Sequence, residues 1–223
     1  YVKFLVNICL ILNFLFADSG IFSFDGINKE QVIYSSSFWL GNIQTIDPIS
    51  NNRLYIQFGL SSIAMTGVTH YLKYPNFDVS LKVTKNLSFT CKSYGFSTKK
   101  YHPFVLGAGV QYYFSENDTL DWSTSIQRTD LIGLQHFNLT SLCLDLRKWI
   151  KFNSYKFRIG AGSNFFKMNS FSSDPNIPNS MNGQINYLGI DIIIPFSIII
   201  FGIDTRISSN QIISTFYMQK EFF

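Results

Sequence analysis

The stretch "PFVLGAGVQYYF", residues 103–114, decides the fold, because its large apolar residues fall on every second position. Side chains of a β-strand alternate between the two faces of a sheet. One face therefore carries Phe104, Leu106, Ala108, Val110, Tyr112 and Phe114. The other face carries Val105, Gly107, Gly109, Gln111 and Tyr113. Such a strand lays its apolar face either against a protein core or against lipid.

The same period of two recurs from residue 53 to the end of the chain and predicts ten strands. We place them at 53–60, 78–83, 87–94, 104–114, 119–128, 137–147, 155–165, 187–194, 199–206 and 216–222. In the sixth, Phe137 and Leu139 are out of phase with the leucines that follow. Either a bulge near Thr140 restores the phase, or the top of this strand projects beyond a membrane.

The connections between these strands alternate between long and short, which favours a closed antiparallel up-and-down transmembrane barrel. We predict outer connections at 61–77, 97–102, 129–133, 166–183 and 207–210. We predict tight inner turns at Lys85–Asn86, at 115–118, near Trp149 and at Pro195–Ser197. An even number of strands returns both ends of the barrel to the side of the tight turns.

The second face of the predicted sheet separates a membrane barrel from a soluble sandwich. A sandwich would expose that face to water and fill it with Lys and Glu, yet charged residues make up only 14% of the chain. Gly, Ser, Thr, Gln and isolated charges of both signs suit a narrow lumen, where glycine leaves room for large neighbours. We predict a lumen network of Asp121, Asp145, Arg147, Lys156, Arg158, Asp191, Asp204, Arg206 and Glu221.

The opposite face is predicted to contact hydrocarbon. Its lipid-facing residues include Leu106, Val110, Trp122, Ile126, Phe157, Ile159, Ile190, Ile192 and Phe201. Aromatic residues near strand ends are predicted to form girdles at the two membrane interfaces. They are Tyr74, Phe104, Phe114, Trp122, Trp149 and Phe165.

The C-terminal stretch "FYMQKEFF", residues 216–223, resembles the closing strand of bacterial outer-membrane barrels. Phe216, Met218 and Phe222 keep the phase of that strand, while Lys220 interrupts it and Phe223 adds one residue. The resemblance covers residues 53–223 at the level of architecture. It implies the outer membrane of a Gram-negative cell, with lipid and the barrel-assembly machinery as partners and Phe216, Met218, Phe222 and Phe223 as the assembly signal.

The N-terminal 52 residues do not follow the strand pattern. Residues 1–17 read as a signal peptide, with Lys3, an apolar run over residues 4–16 and a small residue, Ala17, at the end. The alternative, a membrane anchor, would need about 20 apolar residues. For residues 18–52 three alternatives stand open: an extra strand, a plug or a periplasmic segment. The barrel domain is residues 53–223.

The sequence offers little chemistry. The net charge of +4 is scattered, which argues against nucleic acid as a partner. His70, His102 and His136 lack the spacing of metal ligands, and Cys91 and Cys143 form no metal or disulfide pattern. We therefore predict no catalytic residue, no metal and no cofactor.

Three functions can be compared with these residues, of which the third requires an apolar inward face that the residues contradict. The first is a non-enzymatic outer-membrane barrel, either a narrow pore or a structural and surface-interaction protein that acts through its outer loops. The second is a hydrolase active at the rim, built around His136 and Asn138. The third is a secreted soluble barrel that binds a lipid-like ligand in an apolar interior. The solute, the partner and the oligomeric state are left open.

Overall fold

The computed structural model describes Phe22 and residues 29–65, 72–98, 102–115, 120–152, 155–171 and 178–223. The predicted signal peptide and His70 lie outside the described residues. One helix, α1 (Lys29–Leu40), precedes ten strands in these ranges. The strands are β1 (Leu54–Met65), β2 (Leu72–Lys82), β3 (Leu87–Gly95), β4 (Phe104–Phe114), β5 (Trp122–Ile132), β6 (Phe137–Phe152), β7 (Tyr155–Ser170), β8 (Ser180–Phe196), β9 (Ile199–Ile207) and β10 (Gln211–Phe222).

The ten strands form a single closed antiparallel barrel in which each strand pairs with its neighbours in the chain. The barrel closes between β1 and β10, whose pairing runs from Leu54 opposite Phe222 to Met65 opposite Gln211. The predicted closed ten-strand barrel is confirmed, and two separate sheets of a sandwich are not present among the described residues. We call the end that holds Leu54 and Phe222 the lower end, and the opposite end the upper end.

Within the described ranges, no helix combines the length and the apolar character that crossing a membrane requires.

The strands are longer than the sequence pattern predicted. β1 continues to Met65 and β8 begins at Ser180, so the predicted outer connections 61–77 and 166–183 are too long. The predicted turn near Trp149 is wrong, because β6 runs through Trp149 to Phe152. Trp149 keeps the inward phase of its strand, and its ring lies 5.4 Å from the guanidinium carbon of Arg158.

The predicted bulge near Thr140 is also wrong. β6 pairs with β7 without interruption from Phe137 opposite Ser170 to Phe152 opposite Tyr155. Phe137 and Leu139 therefore face the lumen, where both are almost completely buried. β6 thus keeps its register with β7, and only the polarity of its inward-facing residues changes along the strand.

An apolar inward face at the upper end needs an apolar partner, and the N-terminal segment provides it. Residues 29–52, which we call the plug, comprise α1 and an extended stretch after Gly41. The plug contains no strand. Its residues from Val32 to Ile46 are buried except for the half-buried Tyr34, although α1 is only one short helix. Such burial on all sides places the plug inside the barrel.

A plugged lumen as the candidate functional site

The upper half of the lumen is an apolar core built around α1. The helix contributes Val32, Ile33, Phe38 and Trp39, each at most 1% exposed. The barrel wall meets them with Ile63, Leu72, Tyr74, Val105, Leu131, Phe137, Leu139, Phe166, Met168, Ile185 and Ile213. These residues belong to eight of the ten strands, so the helix is enclosed by the wall and packed as in the interior of a soluble protein.

Trp39 anchors the helix to one side of this core. Its ring stacks on Tyr74, with ring centroids 4.8 Å apart and an angle of 19° between the planes. Its indole Nε1 donates to the Pro75 carbonyl and to Asn76 Oδ1, both at 3.1 Å. The polar atom of this buried aromatic residue is therefore satisfied, as a buried N–H requires.

Below α1, the extended part of the plug is held by amide side chains of the wall. Gln127 donates from Nε2 to the Asn42 carbonyl at 2.8 Å, and Gln111 donates in the same way to the Gln44 carbonyl at 2.7 Å. Asn164 of β7 binds α1 itself, where its Nδ2 donates to the Ser37 carbonyl at 2.8 Å. Bonds from separate strands thus hold both parts of the plug, which fixes the position of the plug along the barrel axis.

A buried ion pair lies next to this segment. Arg158 Nε donates to Asp191 Oδ2 at 2.9 Å, and Thr45 of the plug donates to the same oxygen at 2.7 Å. Tyr217 donates its hydroxyl to the other oxygen of Asp191, Oδ1, at 2.9 Å. A charge taken out of water is tolerated when it is paired and hydrogen-bonded in this way.

A second cluster of ion pairs lies beside the first, on the inward face of the wall, and links β6 with β9. Arg147 Nε lies 3.0 Å from Asp145 Oδ1, and its Nη1 lies 2.6 Å from Asp204 Oδ1. Tyr187 donates to Asp145 Oδ2 at 2.8 Å. Arg206 completes the cluster, with Nε 3.5 Å from Asp204 Oδ2.

The predicted lumen residues thus divide into three groups. Asp145, Arg147, Arg158, Asp191, Asp204 and Arg206 are buried in the two clusters just described. Lys156 and Glu221 bind the plug instead: Lys156 pairs with Asp47, and Glu221 Oε2 accepts a bond from Ser50 Oγ at 2.6 Å. Asp121 lies at the lower end, just before β5, where its carbonyl accepts a bond from the Trp149 amide at 2.6 Å.

Several polar residues of the lumen were not predicted from the sequence. Lys92 Nζ lies 2.5 Å from Asp78 Oδ1, and Lys82 Nζ donates to the Ser50 carbonyl of the plug at 2.7 Å. All three strand residues stand in the inward phase, so the alternation was the signal that could have found them. Asp47 carries no such signal, because the plug has no period of two.

The outer face of the barrel is an apolar belt. All nine predicted lipid-facing residues point outward, and Leu106, Ile126 and Ile159 are 49%, 47% and 48% exposed. At the lower end Tyr112, Phe114 and Trp122 form a stack of outward rings, with successive centroids 6.1 and 6.4 Å apart. A belt that rings the molecule is far larger than the apolar patches of soluble monomers.

Two of the predicted girdle residues do not lie on this belt. Tyr74 and Trp149 face the lumen and are buried, so their assignment to the girdle is wrong. Both belong to the inward phase of their strands. Near strand ends, an aromatic residue alone does not identify the lipid face.

Polar side chains interrupt the belt in the upper half of the barrel. On β5 and β6, Arg128 Nε lies 3.3 Å from Asp130 Oδ2, and Thr140 donates to Asp130 Oδ1 at 2.6 Å. On β7 and β8, Ser163 donates to Asn186 Oδ1 at 2.6 Å. Exposed apolar residues lie beside these groups, since Leu106 pairs with Asp130. The outer face thus changes from apolar to mixed in the upper half.

The inward glycines leave space for large lumen side chains. A Cβ on Gly162 would lie 2.4 Å from the ring of Tyr187, and a Cβ on Gly202 would lie 2.1 Å from the ring of Tyr217. Each of these tyrosines donates a hydrogen bond to a buried aspartate of the ion-pair clusters. The glycines therefore support the polar network without taking part in it.

The closing strand β10 carries the residues that the sequence analysis singled out. Phe216, Met218 and Phe222 lie on the outward face, and Phe223 follows the strand at 81% exposure. Lys220 shares the outward phase, with its Nζ 4.9 Å from the centre of the Phe222 ring. The lysine thus lies at the lower edge of the belt, where a long cationic side chain reaches the interface.

The histidines and cysteines do not assemble a reactive centre in the described residues. His102 Nδ1 lies 3.1 Å from Ser97 Oγ at the exposed upper rim. The carbonyl of His136 accepts a bond from the Phe171 amide at 2.9 Å. Cys91 is exposed on the belt, and Cys143 is buried in the lumen with Sγ 3.2 Å from the Tyr187 hydroxyl. The described side chains contain no group of three potential metal ligands.

Comparison with protein-family models gives no match for this sequence, and comparison with curated proteins gives none either. Among solved structures, the translocator domain of the autotransporter NalP from Neisseria meningitidis is similar with a TM-score of 0.43 and 10% identity, over 87% of this chain and 95% of that one. The KdgM porin in complex with disordered oligogalacturonate gives 0.41 and 8%, over 76% and 99%. The Acinetobacter baumannii outer membrane protein Omp33 gives 0.38 and 9%, over 77% and 98%.

Proposed function

We propose that this protein is an integral outer-membrane barrel whose lumen is closed by its own N-terminal segment, and that it acts through its upper, extracellular end without catalysis and without conducting solutes. Its place in a membrane is supported by the apolar belt, because rows of half-exposed Leu, Ile and Phe would be costly in water. The barrel closes between β1 and β10 and leaves no edge strand among the described strands, which is the condition for crossing hydrocarbon with strands.

The orientation follows from the two ends of the barrel. Short turns and the aromatic stack lie at the lower end, which we assign to the periplasm. The outward residues Phe216, Met218, Phe222 and Phe223 are proposed to be recognised by the barrel-assembly machinery, and the belt to contact outer-membrane lipid. The long upper parts of β6, β7 and β8 then project outside the cell.

One observation favours a closed barrel over a narrow pore: the plug fills the cross-section at two levels. At the upper level, Ile33, Phe38 and Trp39 are at most 1% exposed within the apolar core. At the lower level, Thr45 joins the Arg158–Asp191 pair, and Gln44 and Asp47 contact other strands. Ions would have to displace both sets of contacts.

The test is conductance in planar lipid bilayers. We expect the wild-type protein to show no sustained channels, and a variant that lacks residues 29–52 to conduct, provided that gel mobility with and without heating shows a folded barrel. Sustained wild-type conductance would contradict the proposal.

If the deletion variant does not assemble, a second variant tests the same proposal with the plug still present. Asn164 Nδ2 lies 2.8 Å from Ser37 Oγ, so Ser37→Cys with Asn164→Cys, in a background with Cys91→Ser and Cys143→Ala, ties the plug to β7. We expect the oxidised and reduced forms to be equally silent. Channels that appear only after reduction would show that the plug is a gate and that the protein is a pore.

A further inference from the structure

The barrel wall has a notch at its upper end, between β8 and β10. β8 begins at Ser180, whereas its pairing with β9 starts only at Leu188 opposite Ile207. β9 then ends and β10 begins at Gln211 after a short connection. Residues 180–187 of β8 therefore pair on one side with β7, and within the described residues their other backbone edge has no strand beside it.

A cavity of about 650 Å³ fills this notch. The plug forms its inner wall through Glu30, Gln31 and Tyr34 of α1, β8 contributes residues 184–186, and the β9–β10 connection contributes residues 208–211. The volume lies within the range of natural pockets for small ligands. The site opens at the upper end, which faces the cell exterior in the proposed orientation.

The chemistry of the lining is almost entirely neutral and polar. Among the described residues, five carboxamides and three hydroxyl groups lie at the cavity, with one carboxylate, Glu30, one aliphatic side chain, Ile185, and no lysine or arginine. Two of the carboxamides, Gln184 and Asn186, project from the outward face of β8 and bond with Ser163. These groups both donate and accept hydrogen bonds, which does not suit an anion or an apolar molecule.

Gln211 gives an independent sign that the cavity takes a ligand. Its side chain is only 6% exposed, and its Nε2 donates to the Tyr34 carbonyl at 3.4 Å. Its Oε1 is buried and has no hydrogen-bond partner among the described residues. A buried acceptor without a donor is costly, so a ligand that supplies a hydroxyl donor would relieve that cost.

We propose that the notch binds a saccharide, a ligand whose hydroxyl groups donate and accept at once. Tyr34 is held in place by an edge contact with Phe166, with ring centroids 5.1 Å apart, and lines the cavity beside Gln31. In the bound state the Gln211 side chain turns toward the cavity, so that Oε1 accepts from a sugar hydroxyl, and Gln31 supplies a further amide group. The inference rests on the proposed function, because the plug builds the inner wall and the barrel wall places the notch outside the cell.

The test is saturation-transfer NMR of the full protein, folded in a detergent without a sugar headgroup. The probes are glucose, galactose, mannose, N-acetylglucosamine, lactose and maltose. We expect saturable binding of at least one probe, weakened about tenfold by Gln211→Leu and by Gln31→Ala, as expected for the loss of one hydrogen bond. The matched control is Gln135→Ala, an exposed amide elsewhere on the upper rim that does not line the cavity.

Lack of binding by all six sugars, or equal binding by wild type and both notch variants, would overturn the proposal. Saturable binding of a short extended peptide at the notch, with no sugar signal, would overturn it as well, because the free edge of β8 would then be the binding element. Gel mobility and bilayer conductance of the same preparations show separately whether the barrel is folded and closed. A closed barrel that binds no sugar would refute the saccharide site alone.

Discussion

The two halves of the lumen are built from the same strands and hold the same plug, yet they pack it by different chemistry. In the upper half, apolar wall residues enclose Trp39 and its neighbours in a dry core. In the lower half, amides and ion pairs such as Arg158 with Asp191 hold an extended segment. The inward face of a small barrel is therefore set by what occupies it, and a lumen need not be polar over its whole length.

Asp191→Ala should have the largest effect, since it removes the carboxylate to which three other residues in the lower half of the lumen bind. Arg158, Thr45 and Tyr217 would lose their common acceptor, and a buried arginine would lose its counter-ion. We expect a loss of about 4 to 5 kcal/mol in the free energy of unfolding, measured with urea in lipid vesicles. The double variant Arg158→Met with Asp191→Leu should recover part of this loss, because it leaves no unpaired charge. An equal loss in the single and the double variant would show that the unpaired arginine is not the cause.

Trp39→Ala tests the upper half. Removing a fully buried indole leaves a cavity between Tyr74 and the helix, and we expect a cost of about 3 to 4 kcal/mol in the same measurement. Phe223→Ala, which truncates an aromatic residue that is 81% exposed, serves as the control and should cost little. If Trp39→Ala were as mild as the control, α1 would not be a structural part of the upper core.

Ile126→Arg probes the belt outside both halves of the lumen. Ile126 lies in the middle of β5, opposite the outward-facing Val110 and Leu144, and an arginine there should cost about 2 to 4 kcal/mol in vesicles. Asn182→Arg, near the upper end of β8 opposite Lys167, should cost about 1 kcal/mol or less for the same new side chain. Similar costs at the two positions would show that the belt does not end below Asn182.

Gln127→Leu should have the smallest effect and refines the comparison. It removes the bond to the Asn42 carbonyl and two longer bonds with the Thr129 and Thr90 hydroxyl groups, and we expect a cost of about 1 kcal/mol, mostly from the first. Gln135→Leu makes the same change at an exposed position and should be neutral within error. A neutral Gln127→Leu would mean that water replaces the amide and that the lower half is wetter than the contacts indicate.

The strands were predictable from the sequence because each one has an outward apolar row that lipid requires. Leu188, Ile190, Ile192 and Ile194 repeat this row in β8, and the structure keeps their phase. The plug was not predictable in the same way. The barrel wall contacts it on all sides, so its sequence shows no repeat of apolar and polar positions. α1 spreads buried serines and apolar residues over all its sides, as a helix enclosed on every side allows.

The errors in β6 have the same origin. Phe137 and Leu139 suggested a bulge because the helix that covers them inside the barrel was not evident from the sequence. The predicted strand ended at Arg147, which left Trp149 in a turn, whereas the structure continues the strand with Lys148 outward and Trp149 toward Arg158. A strand that faces lipid on one side and an apolar plug on the other loses the simple alternation on which such predictions depend.

Spin-label accessibility at two positions tests the central claim most directly. Single cysteines would replace Ile190 on the belt and Ser37 on the plug, with both native strand cysteines removed, in protein reconstituted into lipid vesicles. The account predicts that molecular oxygen in the bilayer collides frequently with the label at 190, and that a water-soluble nickel chelate reaches neither label. Frequent collision of the chelate with the label at 37 would show an open lumen, and its collision with the label at 190 would show that the belt does not face lipid.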